Sequence, residues 1–271
     1  MNPPPPAYRA RYLPAMSVPE ILDLPDKEWA PVIVPTGAIE QHGPHLPVAV
    51  DALMGEVWLT LSLPRLPPEA TCYVAPPITI GKSNEHSGFP GTLMISRDSL
   101  RELLLAAARQ LKRWGFGHVA VLNTHGGNRA VVHCTLEEIR SELGLRATFL
   151  QPGFQLGLSP QEAAYGFHAN EAETAWLLAA AGSLVAMDRA VREYPARVED
   201  RGELRPEFAP ATFAWITQDI SRSGIMGDAP AGTAAKGRAW LEHGAECYAQ
   251  AIAAAASEAR QRWAAARRPG P

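Results

Sequence analysis

Short apolar, β-branched runs alternate with longer amphipathic stretches along this chain. Pro31-Val-Ile-Val-Pro35 has the length and composition of a buried strand, and Thr71-Cys-Tyr-Val-Ala75, His118-Val-Ala-Val-Leu122 and the run from Ala147 to Gln151 read as three more strands. Helical spacing fills the gaps between them. It predicts a helix from Asp51 to about Leu63, stopped by Pro64. A second is capped by Ser96, carries Leu100, Leu103, Leu104, Ala107, Leu111 and Trp114 on one face, and ends at Gly115. A third runs from about Arg129 to Leu143. Further on, Glu171 to Ala181 reads as an Ala/Leu helix and about Thr233 to Arg267 as a long amphipathic one. Before the first strand, Ser17-Val-Pro-Glu20 has the form of a capping box on a short helix. Residues 152–170 and 182–232 read as irregular, the latter with prolines at 195, 206, 210 and 230. Residues 1–16 carry five prolines and read as a flexible arm, followed by one domain over 17–271.

Strands alternating with helices predict an α/β fold with a mainly parallel sheet covered on both faces. Ligands of such sheets sit beyond the carboxyl ends of the strands. Two loops leave strands at that end and carry unusual side chains. The first, Thr36-Gly-Ala-Ile-Glu-Gln-His-Gly-Pro-His-Leu-Pro-Val-Ala-Val-Asp51, holds Glu40, His42, His45 and Asp51. Glu, His and Asp are the ligands of hard and borderline divalent metals. The rival reading is a polar, solvated turn. The second loop, Asn123-Thr-His-Gly-Gly-Asn128, is a strand-to-helix turn that points His125 into the cleft, with glycines that let the backbone approach a ligand. Its rival is a phosphate loop at a helix N-terminus. That reading lacks both the G-x-G-x-x-G spacing and a P-loop lysine.

Two more stretches add chemistry. Gly81-Lys-Ser-Asn-Glu-His-Ser-Gly-Phe-Pro-Gly-Thr92 holds Glu85 and His86. Phe167-His-Ala-Asn-Glu-Ala-Glu-Thr174 places His168 and Glu173 at the mouth of a helix, where Asn170 or His168 could also serve as a cap. His118, His133 and His243 read as structural or surface residues, and His45 as a support to the ligands.

Composition removes several function classes. The 271 residues are 46% apolar and 20% charged, with net charge −3 and a pI near 6.3. No basic run suggests nucleic acid. Cys72, Cys134 and Cys247 are scattered and odd in number, which reads as reduced thiols. Neither a leader pattern nor an apolar run of membrane-spanning length occurs, so a cytoplasmic protein is expected.

Across residues 31–181 the chain resembles the creatininase (creatinine amidohydrolase) family. The resemblance rests on four ordered stretches: Gly37-Ala-Ile-Glu-Gln-His-Gly-Pro-His-Leu-Pro with Asp51, Glu85-His-Ser-Gly-Phe-Pro-Gly-Thr92, Asn123-Thr-His-Gly-Gly-Asn128 and His168-Ala-Asn-Glu-Ala-Glu-Thr174. It implies a three-layer α/β/α sandwich, two divalent metal ions per chain, hydrolysis of a non-peptide or cyclic amide C–N bond, and a homo-oligomer, often a hexamer. Carried over, Glu40 and His125 bind one metal, His42 the other, and Asp51 bridges them. Two departures from creatininase itself stand out. Gly127 replaces a metal-binding Glu, so the second metal needs another ligand or a water, and Glu173 is the candidate. Ala164 and Phe167 replace a Trp and a Glu that cover creatinine. The substrate is therefore expected to differ, and activity on creatinine to be weak or absent.

The expected chemistry is attack by a metal-bridging hydroxide, with ions about 3.5–4 Å apart. His168 is the first candidate for the proton carrier and His86 the second, with Glu173 either a ligand or an acid–base group. Glu85, Gly126, Gly127 and Asn128 are candidates for binding substrate. The O/N ligand set suits Zn, Mn or Fe(II). The alternative within the family is a deformylase or peptidase of cofactor biosynthesis. Outside it, the alternative is a metal-storing or scaffold protein, which would have no use for His86 and His168.

Overall fold

The computed structural model describes residues 8–195 and 214–266. Its centre is a four-stranded parallel sheet in the order β2-β1-β3-β4, formed by β1 (Pro31–Thr36), β2 (Tyr73–Val74), β3 (His118–Asn123) and β4 (Arg146–Leu150). Every residue of β1 and β3 is buried, as two covered faces demand. Side chains alternate between two cores. Val32, Val34, Val119 and Val121 join Leu100, Leu104 and Leu111 of α3 (Arg97–Arg113) and Val132 and Ile139 of α4 (Arg129–Leu143). Ile33, Ala120 and Leu122 face α2 (Val50–Ser62), α6 (Glu171–Ala181) and α8 (Ala234–Ala266) through Met54, Trp58, Leu59, Leu177 and Ile252. The layers are α/β/α, as expected.

The strand order creates a switch point. The chain leaves β1, adds β2 on one side, then crosses to β3 on the other. Thr36 and Asn123 are register partners at the carboxyl ends of β1 and β3. Their loops therefore emerge side by side and diverge to helices on opposite faces, the geometry that opens a crevice.

Most expected elements form, with differences that have local causes. The capping box at α1 (Val18–Leu22) closes through Ser17 and Glu20, and Ser96 Oγ accepts from Ser99 N at 3.0 Å. The strand expected over 71–75 shrinks to two residues, since β2 pairs with β1 only at Tyr73 and Val74. The stretch 152–170 is not all loop. It contains α5 (Pro160–Tyr165), with Ser159 as cap and proline at its first position. The irregular stretch 182–232 contains β5 (Arg192–Glu193), α7 (Thr217–Ile220) and β6 (Gly227–Asp228), with β5 and β6 antiparallel. Of the arm expected over 1–16, residues 1–7 lie outside the described part. Residues 8–16 pack on the body: Leu13 is buried and Arg11 donates to the carbonyls of Ala70 and Cys72. No described helix is long and apolar enough to cross a membrane, and the three cysteines are free thiols.

His118 gives the fold a testable acid sensitivity. It is buried at the start of β3, with Nε2 2.8 Å from Thr148 Oγ1 and Nδ1 3.3 Å from the Trp29 carbonyl. Burial pushes its pKa down to about 4. The folded state therefore favours the neutral ring. The stabilisation is complete above the unfolded value of about 6.5 and is lost as pH falls toward about 4, at a cost of about 3 kcal/mol. Denaturant unfolding of wild type and His118→Gln across that window should show a shallower pH slope in the variant. Equal slopes would refute the assignment.

Candidate functional site

The crevice between β1 and β3 gathers buried acids and imidazoles. Glu40 stands on the loop after β1, and its N–H donates to the Val48 carbonyl at 2.8 Å. Its Oε1 lies 3.2 Å from His125 Nδ1, 3.6 Å from His86 Nε2 and 3.7 Å from His168 Nδ1. Asp51, in the first turn of α2, places Oδ2 3.2 Å from His125 Nδ1 and Oδ1 3.6 Å from His42 Nε2. Glu173, in the first turn of α6, puts Oε2 3.9 Å from His42 Nε2 and accepts from Ala169 N at 2.5 Å. The donor atoms fall into overlapping groups suited to a cation. These are Glu40–Asp51–His125, His42–Asp51–Glu173, Glu40–His42–His168 and Glu40–Glu85–His86.

The electrostatics describe a site short of positive charge. Burial alone would lower the His42 pKa, but Asp51, Glu173 and Glu40 outweigh it and raise it to about 9. His125 moves the same way, with Glu40, Asp51 and Glu85 overriding burial. Burial would raise Asp51, but His42 and His125 hold it below the usual carboxylate range. Burial raises Glu173 to about 7 against the pull of His42. Burial and the neighbouring His86 and His42 hold His168 neutral. Glu40 Oε2 and His42 Nε2 are buried without a hydrogen-bond partner, and Asp51 Oδ2 has only the His125 ring beside it. Leaving such groups unsatisfied is costly. Divalent cations would satisfy all three and displace the protons on His42 and His125.

The other candidates divide. Glu85 Oε1 lies 3.4 Å from His125 Nε2 and Oε2 3.1 Å from Lys82 Nζ. Its nearest partners are thus those two groups, and His125, the first of them, holds its pKa near 2 against burial. Asn128 is not placed to bind substrate. It is fully buried, Oδ1 accepts from Lys82 N at 2.8 Å, and Nδ2 donates to the Gly37 carbonyl and to Asn123 Oδ1. It ties three loops together instead. Gly126 and Gly127 line the cavity with Glu85, His86 and His168. At Gly127 a Cβ would stand 2.0 Å from Glu85 Oε1 and 2.5 Å from both His125 Nε2 and the Lys82 carbonyl oxygen. Gly127→Ala should therefore displace His125 and weaken metal binding at least tenfold, read by competition with a chelating dye. Unchanged affinity would contradict that packing. His45 Nε2 bonds Thr174 Oγ1 at 2.8 Å, next to Glu173 in sequence.

Three features escaped the sequence. Gln41 contacts both His86 and His168. Its signal was its position between Glu40 and His42. Trp215 lines the cavity and meets Phe167 edge-on at 6.2 Å, so an aromatic cover comes from a distant segment although Ala164 supplies none. Beside the acid and imidazole cluster lies a second cavity of about 230 Å³, lined by Met54, Trp58, Phe154, Trp176 and Tyr248 and by Arg129. Arg129 has no carboxylate partner among the described residues.

This geometry has relatives. The family model described as creatininase, creatinine amidohydrolase, matches residues 14–252. The chain belongs to the creatininase family. A mycofactocin precursor peptide peptidase from Mycobacterium ulcerans is 32% identical over 216 residues, covering 78% of this chain and 79% of that protein. Among solved structures, a creatininase described by its Mn form aligns with a TM-score of 0.72 at 22% identity, over 92% of this chain and 98% of the other. A mutant creatininase of Zn–Zn type aligns with a TM-score of 0.72 at 22% identity, over 94% and 98%. At that identity the structures establish the shared fold. The chain is thus a creatininase-family amidohydrolase by descent.

Proposed function

We propose that this chain is a two-metal hydrolase that cleaves an amide C–N bond in a peptide or peptide-like substrate. One observation carries the reading: Asp51 belongs to two ligand groups at once, Glu40–Asp51–His125 and His42–Asp51–Glu173. A carboxylate so placed can serve two ions. Glu173 then takes the place that Gly127 leaves without a ligand. Oxygen and imidazole donors without thiolate suit Zn, Mn or Fe(II). The bound ions would supply an activated water and polarisation of the scissile carbonyl. His168 and His86 line the same cavity and handle protons there. Glu85 buttresses His125 through its Nε2, and the backbone of Gly126 and Gly127 borders the substrate.

Residues and descent both bear on the substrate. The resemblance to creatininase by itself implies a non-peptide or cyclic amide. The likeness to peptidases of a precursor peptide shifts the balance to a peptide bond. The aromatic cavity with Arg129 offers room for an apolar side chain and a countercharge for a carboxylate. A single domain over 17–271, a homo-oligomer, with a hexamer favoured, and a cytoplasmic location belong to the same proposal.

The test is a panel assay on protein loaded with Mn, Zn or Fe(II), covering short peptides, formamides, lactams, cyclic ureas and creatinine. Peptide cleavage that stops on chelation and returns on metal addition is expected. Creatinine turnover near a typical enzyme rate of about 10 per second would overturn the substrate assignment. Cleavage indifferent to chelation would overturn the metal assignment.

A further inference from the structure

Gln41 fixes where two histidines carry their protons. Its Oε1 lies 2.9 Å from the backbone nitrogen of Gly43. A backbone N–H only donates, so that end of the amide is the oxygen and the orientation is settled. The other end, Nε2, is an NH₂ group that only donates. It lies 3.0 Å from the Gly224 carbonyl, 2.9 Å from His86 Nδ1 and 3.0 Å from His168 Nε2. The backbone carbonyl of Gln41 is itself 2.7 Å from His168 Nε2. A carbonyl only accepts, so His168 carries its proton on Nε2 and cannot accept there from the amide. The two amide protons therefore go to Gly224 and His86. His86 Nδ1 is then an acceptor, and its proton sits on Nε2. The Thr217 hydroxyl, 2.8 Å from both His86 Nδ1 and the Glu85 carbonyl, can donate to either and agrees with a bare Nδ1.

The two rings thus share a tautomer but present opposite ends to the site. They stack with centroids 4.1 Å apart. His86 shows Nε2–H, 3.6 Å from Glu40 Oε1, and His168 shows bare Nδ1, 3.7 Å from the same oxygen. We infer that Gln41 is a positioning residue that makes His86 the hydrogen-bond donor and His168 the proton acceptor of the reaction. The inference rests on the amidohydrolase reading above. In that reaction the water oxygen bonds to the carbonyl carbon and its proton passes to His168 Nδ1. The C–N bond then breaks and that proton moves to the leaving nitrogen. His86 Nε2–H meanwhile donates to substrate oxygen. Packing keeps the amide in place. Gly224 has φ +85°, and a Cβ there would stand 2.0 Å from Gln41 Oε1.

The test is long-range ¹H–¹⁵N NMR on histidine-labelled, zinc-loaded protein, with His86→Gln and His168→Gln variants to assign the signals. It needs no substrate, so it stands apart from the fate of the proposed function. Wild type should show the Nε2–H tautomer at both rings. In Gln41→Glu the carboxylate can only accept, so His86 should move its proton to Nδ1 while His168, held by the backbone carbonyl, stays as it was. Gln41→Met, which cannot donate, should leave His86 a mixture of both forms. With any cleaved substrate, Gln41→Glu should lower kcat about 10²-fold or more with KM within a few fold, the size of lost acid–base help. An Nδ1–H signal at His86 in wild type would overturn the inference. So would an unchanged His86 in a folded Gln41→Glu or Gln41→Met variant.

Discussion

Asp51→Ala should lose both metal ions and with them essentially all hydrolytic activity. Asp51 is the residue that the Glu40–Asp51–His125 and His42–Asp51–Glu173 groups share. Its two oxygens point different ways, Oδ2 to His125 and Oδ1 to His42. Removing it leaves each group with two ligands. It also leaves His42 and His125 with less negative charge to oppose burial, so both should release their protons more readily. Loading of wild type at neutral pH should release protons, because raised pKa values keep both rings protonated until a metal displaces them. Elemental analysis of matched preparations is the measurement, with proton release followed by a pH indicator. Wild type should carry close to two equivalents and Asp51→Ala close to none. Retention of one equivalent would mean that Asp51 serves a single ion. Retention of both would end the bridging assignment. Glu173→Gln offers the complementary result: loss of one equivalent, since Glu173 belongs to one of the two Asp51 groups alone.

The sheet was legible because β1 and β3 are rich in β-branched residues and buried throughout. The parallel order followed from the alternation of strands with helices. The loops after β1 and β3 come together because Thr36 and Asn123 are register partners. That register is not written in either loop, but any parallel pairing of the two strands would bring their carboxyl ends to one edge. Glu173 was harder. It reaches His42 from α6, and its place depends on α5, a helix of six residues. Glu162 on α5 is buried and accepts from Glu171 N and Asp228 N, both at 2.9 Å, tying the start of α6 to β6. Six residues give too little periodicity to recognise, although Ser159-Pro160 carried the cap and first-turn proline of a helix start. Asn128 is hard to read for a related reason. An Asn beside glycines looks available, and only the loops converging on it reveal that its amide is already spent. Trp215 had no local signal, since its neighbours follow no apolar period and it meets Phe167 across a long sequence gap.

His168→Ala should keep both metals and the fold yet lose about 10²–10⁴-fold in turnover, the usual worth of acid–base help. His168 lies outside both groups that contain Asp51. Its ring is held on three sides, by the Gln41 carbonyl at Nε2, by stacking on His86, and by His42 with centroids 4.3 Å apart. Burial first, then His86 and His42, keep it neutral at rest, so it can accept a proton near neutral pH. A helix N-terminus nearby works the same way, because Asn170 caps α6 two residues on. Two other roles predict different outcomes. If His168 served the Glu40–His42–His168 group as a ligand, the variant would lose a metal equivalent. If it were only packing, the variant would lose stability, by roughly 1–3 kcal/mol for a buried truncation, while its folded fraction turned over normally. His168→Gln refills most of the space without a ring nitrogen to take a proton, so it separates packing from chemistry. Metal content, melting temperature and turnover measured on one preparation of each variant distinguish all three. Full metal, a modest fall in Tm and a turnover loss shared by both variants is the result expected for a proton carrier.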